Sequence, residues 1–218
     1  MPEKIKQFNT IQLLRKIIIV FFAVGAIGML VPFSRPLFRQ ITPLALILSL
    51  ALLLWFQPNY NFKTIAIFVF VALAGFWLEV LGVNTGIIFG NYKYGDALGP
   101  KLFETPYMLG INWLLMIYLT ASITDHFRFP VLMQIAFGSA LMIVYDIVLE
   151  IVAPRMNMWS FDEGIVPFKN YLTWFVLSLF FHTIIRLFKV RTKNPLAVTI
   201  YIVQILFFVL LIFFKKPL

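Results

Sequence analysis

Residues 142–159 read MIVYDIVLEIVAPRMNMW, and this stretch combines an apolar helical pattern with two acidic side chains. Asp146 and Glu150 stand four positions apart, so on a helix their side chains share one face, with Cβ atoms about 6 Å apart. The residues around them are almost all aliphatic or aromatic. The stretch therefore predicts a membrane-spanning helix that presents two carboxylic acids to one cavity.

The composition of the whole chain is that of an integral membrane protein. Hydrophobic residues occupy 61% of the 218 positions and charged residues only 12%, a balance that cannot cover the surface of a water-soluble globule. The absence of cysteine excludes disulfides, thiolate catalysis and cysteine-ligated zinc. Most of the basic residues behind the net charge of +9 flank apolar stretches, where they anchor helices and meet anionic headgroups. We therefore predict no nucleic-acid partner.

Seven apolar stretches are candidates for transmembrane helices, because a helix needs about 20 apolar residues to cross a hydrocarbon core of about 30 Å. The first follows Arg15 and Lys16 but precedes no small-residue cleavage site, so we interpret it as a span rather than a signal peptide. These stretches predict an all-α, polytopic membrane helical bundle with about seven transmembrane helices, forming a single integral membrane domain over residues 1–218. The seven apolar stretches are residues 17–31, 42–56, 64–83, 107–124, 129–152, 171–188 and 195–214.

The distribution of Lys and Arg predicts the orientation of the chain. Seven spans place the termini on opposite sides, and ten of the 18 basic residues then fall on the N-terminal side. The densest cluster, RLFKVRTK at 186–193, is among them. This favours a cytoplasmic N-terminus in the cell membrane. The two long connections, 84–106 and 153–170, are expected to lie together on the opposite side.

Polar residues at the ends of four predicted spans indicate one site beside these connections. Ionisable groups within spans are costly and usually face a bundle interior or a wet cavity. The structural alternative is that the acids are interfacial or pair with Lys or Arg for helix packing. We favour a functional role, because no basic residue lies one helical turn from Glu79 to neutralise it. The polar residues are Glu79, Asn112, Asp146, Glu150 and Asn170.

Several other kinds of site are disfavoured by the sequence. The glycines between 82 and 99 match no Walker pattern and precede no Walker lysine. His126 and His182 are too few and too far apart to predict a metal site. A single Asp-x-x-x-Glu in the spans, with no second acidic motif, argues against a magnesium-bound diphosphate substrate. Aromatic residues near the acids instead suit carbocation chemistry, because a carboxylic acid can protonate an alkene and aromatic faces stabilise cations.

Three sequence blocks resemble the carotenoid biosynthesis membrane proteins, in particular the CruF-type carotenoid hydratases. The resemblance covers roughly residues 75–186. The chain departs from the family pattern at Ile151, Phe161 and Lys169, where the family has Pro, Trp and Gln. The blocks are EVLGVNTGIIFGNYKYGDALGPKLFETPYMLGINWLL (79–115), DIVLEIVAPRMNMWSF (146–161) and GIVPFKNYLTWF (164–175).

The resemblance implies an enzyme that adds water across the terminal double bond of an acyclic carotenoid end and leaves a tertiary hydroxyl. It implies no redox cofactor, no metal, a carotenoid lipid as substrate and an association with other carotenoid enzymes. Matched by position, the expected catalytic acids are Glu79, Asp146 and Glu150. The residues expected to hold substrate or water are Asn84, Thr85, Tyr92, Asn112, Trp113, Trp159, Asn170 and Tyr171.

The hypothesis at this point is that Asp146 or Glu150 protonates the alkene, while Glu79 is the leading candidate to orient the water and accept its proton. Neighbouring acids in a desolvated site suit these roles, because one can stay protonated while another is charged. Two alternatives remain. A carotenoid cyclase would capture the same cation with another double bond, and a non-catalytic transporter or lipid-binding protein would use the acids to relay protons or bind ions.

Overall fold

The structure, a computed structural model, describes residues 2–162 and 164–213, with side chains from Gln7 onward. Within this part the chain forms eight α-helices, which confirms the all-α class. Each of the seven predicted stretches corresponds to one helix, and the additional short helix lies between the first two. The helices are α1 (Pro2–Leu30), α2 (Arg35–Gln40), α3 (Thr42–Trp55), α4 (Phe62–Thr85), α5 (Met108–Thr124), α6 (Val131–Val152), α7 (Phe168–Leu187) and α8 (Ala197–Phe213).

Three of these helices are long and apolar enough to cross a membrane, namely α4, α6 and the segment Gln7–Leu30 of α1. Helices α3, α5 and α8 are apolar but shorter, with 14, 17 and 17 residues. Large hydrophobic side chains are exposed along the outer faces of the helices, as a lipid environment requires. The chain is therefore a membrane protein, and the number of seven crossings stays a prediction.

Some of the predicted features lie outside the described residues. The predicted end of the last span, Phe214, is one of them. The count of basic residues on each side of the membrane also included four side chains outside the described part. These are the side chains of Lys4, Lys6, Lys215 and Lys216.

Local sequence signals set the ends of the helices that carry the acids. Helix α4 begins after Asn61, whose side chain accepts a hydrogen bond of 2.8 Å from the Thr64 backbone N–H. It ends at Gly86, which adopts the left-handed conformation with φ of 65° that glycine tolerates best. Pro130 and Pro167 immediately precede α6 and α7. Proline lacks the backbone N–H that a helix interior needs, so each proline marks the start of its helix.

Helix α5 forms the centre of the bundle. Its residues from Asn112 to Thr124 are all buried, and it packs against α3, α4, α6, α7 and α8. A helix that is apolar on every side belongs in the interior of a large helical protein. The helices that carry the acids therefore surround a buried central helix.

Glycines bring α4 and α5 into close contact. A Cβ atom at Gly75 of α4 would lie 2.5 Å from Trp113 Cβ on α5, and one at Gly110 of α5 would lie 2.7 Å from the Ala72 carbonyl oxygen on α4. Small residues allow such close helix packing in membrane proteins. This packing sets the position of Trp113 relative to the third and fourth turns of α4.

Hydrogen bonds between distant segments define two ends of the bundle. At one end, Arg39 Nη2 donates to the Arg155 carbonyl oxygen at 3.0 Å, and Arg155 Nη1 donates to that of Leu211 at 2.9 Å. The connection after α6 therefore lies beside the connection after α1 and the last turn of α8. Toward the other end, Arg15 Nη2 donates to the Pro195 carbonyl oxygen at 2.8 Å. The connection after α6 thus lies away from the N-terminal half of α1.

The two long connections pair directly through short strands. Strand β1 (Tyr92–Tyr94) pairs antiparallel with β4 (Trp159–Phe161), so that Tyr92 is opposite Phe161 and Tyr94 is opposite Trp159. Strands β2 (Lys101–Leu102) and β3 (Thr105–Pro106) form a second small ladder. The prediction that the two connections lie together is confirmed, although the sequence did not predict the strands.

Candidate active site

The Glu79 side chain is held by three hydrogen-bond donors within the protein interior. It projects from α4, and the residue is only 3% exposed. Its Oε2 atom accepts hydrogen bonds from Tyr94 Oη at 2.6 Å and Tyr92 Oη at 2.8 Å, and its Oε1 atom accepts one from Trp113 Nε1 at 2.9 Å. An ionised carboxylate only accepts hydrogen bonds and has about four lone-pair positions. Three donors therefore match an ionised Glu79 and leave about one acceptor position for a further molecule.

Strand β1 explains how two tyrosines reach the same carboxylate. Side chains two residues apart in a strand point to the same face, so Tyr92 and Tyr94 face inward while Lys93 between them is exposed. Burial raises the pKa of Tyr92 and of Tyr94, and the charge of Glu79 raises both further. Both phenols therefore stay protonated at physiological pH and keep donating to Glu79.

A second cluster connects the two acids of α6 to α7 and β4. Trp159 Nε1 donates to Glu150 Oε2 at 2.9 Å. The amide nitrogen of Asn170 donates to Glu150 Oε1 at 3.0 Å and also lies 3.4 Å from Asp146 Oδ2. One amide group therefore bridges the two carboxyl groups that the sequence places four residues apart.

Asp146 differs from the other two acids in how few donors face it. The residue is completely buried, and none of the described residues provides a hydrogen-bond partner for its Oδ1 atom. Buried polar atoms in native proteins nearly always have a partner. A negative charge on Asp146 is therefore stabilised by fewer donors than one on Glu79, which has three, and this difference favours the protonated form of Asp146.

A small cavity of about 20 Å³ lies between the two clusters. Glu79 and Glu150 both line it, together with the amide of Asn170. This volume accommodates about one water molecule, and the carboxyl and amide groups provide the two to four polar partners that such a water needs. The rest of the wall consists of Phe89, Tyr92, Tyr94, Leu109, Trp159, Phe161 and Trp174.

Stacked indole rings fix the position of the Trp113 donor. The rings of Trp113 and Trp174 are 4.4 Å apart between centroids and 19° from parallel, and Phe181 packs against the first of them at 5.6 Å. Trp113 is completely buried. The aromatic cluster therefore holds one indole N–H toward Glu79, and its Trp174 lines the cavity.

The structure places the remaining predicted residues at different distances from this cavity. Asn112 is buried and lines an adjacent cavity. Tyr171 follows Asn170 on α7 but is only partly buried. The exposed side chain of Asn84 donates to the carbonyl oxygens of Val80 and Phe103, at 2.8 and 3.0 Å. That of Thr85, also exposed, donates to the Leu81 carbonyl oxygen at 2.5 Å. Asn84 and Thr85 therefore form hydrogen bonds at the C-terminal end of α4 and do not line the cavity.

The site also contains residues that are not among the predicted site residues, of which Tyr94 is the most important. The alternation Tyr-Lys-Tyr at 92–94 was the available signal, because it is the pattern of a strand with one buried face. Leu109 and Trp174 gave no comparable signal. Their place at the cavity depends on how α5 and α7 pack.

A comparison with protein families finds a match over most of the chain. A family model described as carotenoid biosynthesis protein matches residues 41–216. This range includes both clusters and all helices from α3 to α8. Neither the curated proteins nor the solved structures contain a match.

Proposed function

Because the chain belongs to the carotenoid biosynthesis protein family, we propose that it is a carotenoid hydratase. The reaction adds water across the terminal double bond of an acyclic carotenoid end group and leaves a tertiary hydroxyl. The observation that carries this proposal is the cavity for about one water molecule, lined by two carboxyl groups and by aromatic rings. The proposal accounts for the burial of three acids in a membrane protein, where ionisable groups are costly.

In the first step, Asp146 acts as the acid. Its proton moves from the Oδ1 side of the carboxyl group to the terminal carbon of the double bond. The π electrons form the new C–H bond, and the adjacent carbon becomes a tertiary cation. The assignment rests on the donor pattern, since Asp146 Oδ1 has no hydrogen-bond partner among the described residues. Aromatic faces such as those of Trp159 and Trp174 stabilise the positive charge.

In the second step, the water in the small cavity attacks the cation. Its oxygen forms the new C–O bond, and one of its protons moves to Glu79, whose three donors leave about one acceptor position free. Glu150 lines the same cavity and holds the Asn170 amide, which positions the water. The proton on Glu79 then exchanges back to Asp146 through water, so no oxidant or reductant is consumed.

An isotope experiment tests this function directly. We expect purified protein, supplied with an acyclic carotene in oxygen-18 water under anaerobic conditions with a chelator, to release product whose hydroxyl carries the heavy oxygen. The physical reason is that the proposed oxygen source is water and no redox step occurs. Mass spectrometry of the product provides the measurement. A ringed product without added oxygen would identify a cyclase, and dependence on O₂, a reductant or a metal would contradict hydration.

We also propose that the described helices other than α2 all cross the cell membrane, with a cytoplasmic N-terminus. The prediction is tested with single cysteines at the exposed positions Lys93, Asp162 and Lys193, since the native chain has no thiol. A membrane-impermeant maleimide should label the variants at 93 and 162 in intact cells, and the variant at 193 only after permeabilisation. Labelling of 93 and 162 from opposite sides would contradict the arrangement, because β1 and β4 are paired.

A further inference from the structure

A much larger cavity lies beside the acid site, with a volume of about 300 Å³. It is a cleft between α1, the α2–α3 segment, α6 and α8, and the connection after α6 closes its inner end. Three methionines, Met29, Met156 and Met158, adapt its shape, since thioether side chains are flexible and polarisable. Five phenylalanines also line it, namely Phe21, Phe22, Phe38, Phe207 and Phe208.

The outer part of the cleft faces the surroundings of the bundle. Val24 and Phe21 on α1 line the cleft and are 52% and 38% exposed. In a membrane protein such exposed apolar residues contact lipid. The cleft is therefore accessible to a hydrophobic molecule dissolved in the bilayer.

The polar groups in the cleft are already paired. Tyr145 Oη donates to Gln204 Oε1 at 3.1 Å, and Gln204 Nε2 donates to Ser49 Oγ at 3.4 Å. The cleft thus presents apolar and aromatic surface and has no charged side chain among its lining residues. Its chemistry suits a hydrocarbon rather than a lipid headgroup.

The inner end of the cleft continues toward the acids. Tyr145, Met158 and Phe208 line both the cleft and a second cavity of about 20 Å³, which also contains Asn112. That second cavity shares Leu109 and Trp159 with the cavity between the acids. The three spaces are therefore consecutive, and each neighbouring pair shares lining residues.

We propose that the cleft binds the polyene chain of an acyclic carotenoid, with one end group extended through the second cavity to the acids. The identity of this occupant rests on the proposed function. The aromatic walls pack against the conjugated chain, and the flexible Met158 moves aside to admit the end group. The tail of the substrate thus stays in a cleft open to lipid, while the reacting double bond is enclosed near Asp146 and Glu150.

A co-purification experiment tests the cleft separately from the chemistry. The protein is expressed in a host that makes lycopene, and the carotenoid bound per purified protein is measured by absorbance. Ala45 of α3 lines the cleft, whereas Ala51 of the same helix is exposed and does not. We expect Ala45→Phe to lower the bound carotenoid at least threefold, because the ring fills the cleft. Ala51→Phe should bind as the wild type does.

Two further variants separate the possible outcomes. Gly25→Leu fills the cleft from α1, where a Cβ would meet only Phe207 at 3.5 Å, so it should reproduce the loss if Ala45→Phe folds poorly. Asp146→Asn should lose activity but keep its carotenoid. The proposal that the cleft binds carotenoid would be overturned if folded Ala45→Phe and Gly25→Leu bind as much carotenoid as the wild type. It would also be overturned if the wild-type protein retains phospholipid but no carotenoid. Carotenoid lost only from the cleft variants, with no hydrated product from any protein, would support the cleft and refute the hydratase.

Discussion

Asp146→Asn, Glu150→Gln and Glu79→Gln are each expected to lower the rate of carotenoid hydration at least about 100-fold, the lower range for the loss of general acid–base catalysis. Each amide nearly preserves the shape of the acid but cannot carry the transferred proton. The effect should be largest for Asp146 and Glu79, which exchange protons with substrate and water in the proposed reaction. Product formed per amount of inserted protein, measured by liquid chromatography, provides the test.

A matched control is available at Asp96, in the connection between α4 and α5. Asp96→Asn makes the same chemical change as Asp146→Asn, but the Asp96 side chain is 91% exposed and makes only a 3.4 Å ion pair with Lys101. Surface pairs of this kind contribute little to stability, so activity should stay near that of the wild type. If all three acid variants remain active, the acids have a structural role and the proposed mechanism is wrong.

The three acids illustrate what the sequence reveals well. An acid inside an apolar span is rare and costly, so Glu79, Asp146 and Glu150 stand out in the sequence by themselves. The i, i+4 spacing of the last two also determines that they share a helix face. The seven apolar helices are equally clear, because a run of apolar residues is a property of contiguous sequence.

Asn84 and Thr85 show where this reasoning ends. They lie close to Glu79 in sequence, but five residues along a helix turn the chain about 140° away from the starting direction. Asn84 therefore reaches the backbone oxygens of Val80 and Phe103 rather than the cavity. Adjacency to a site in sequence does not specify the direction of a side chain at a helix end.

Tyr94 and Trp174 show the opposite case. Tyr94 reaches Glu79 because β1 pairs with β4 from the other long connection, and such a pairing between segments about 65 residues apart depends on register and turn geometry. Trp174 reaches the cavity through the packing of α7 against its neighbours. These contacts follow from tertiary structure, and local sequence patterns do not encode them.

The packing of α4 against α5 leads to the other large expected effect. Gly75→Ala should lower hydration about tenfold or more and also lower thermal stability. A Cβ at this position would lie 2.5 Å from both Cβ and Cγ of Trp113, well below the optimal carbon–carbon separation of about 3.5–4.0 Å. The indole must shift, and the hydrogen bond from its Nε1 to Glu79 Oε1 is then lost. Hydrogen bonds to charged groups contribute about 1.5–3 kcal/mol, which corresponds to a tenfold change or more.

Two further variants distinguish packing from hydrogen bonding. Gly25→Ala makes the same change in α1, where the new methyl group would meet only Phe207 at 3.5 Å. Its melting temperature should rise, because alanine favours a helix over glycine by about 1 kcal/mol. Trp113→Phe removes the N–H donor without adding a methyl group to the interface. We expect it to lose activity as Gly75→Ala does, with a smaller effect on the α4–α5 contact. Thermal unfolding in detergent and product analysis measure the two properties separately. If Gly75→Ala is less stable but fully active, Trp113 does not position Glu79 for the reaction.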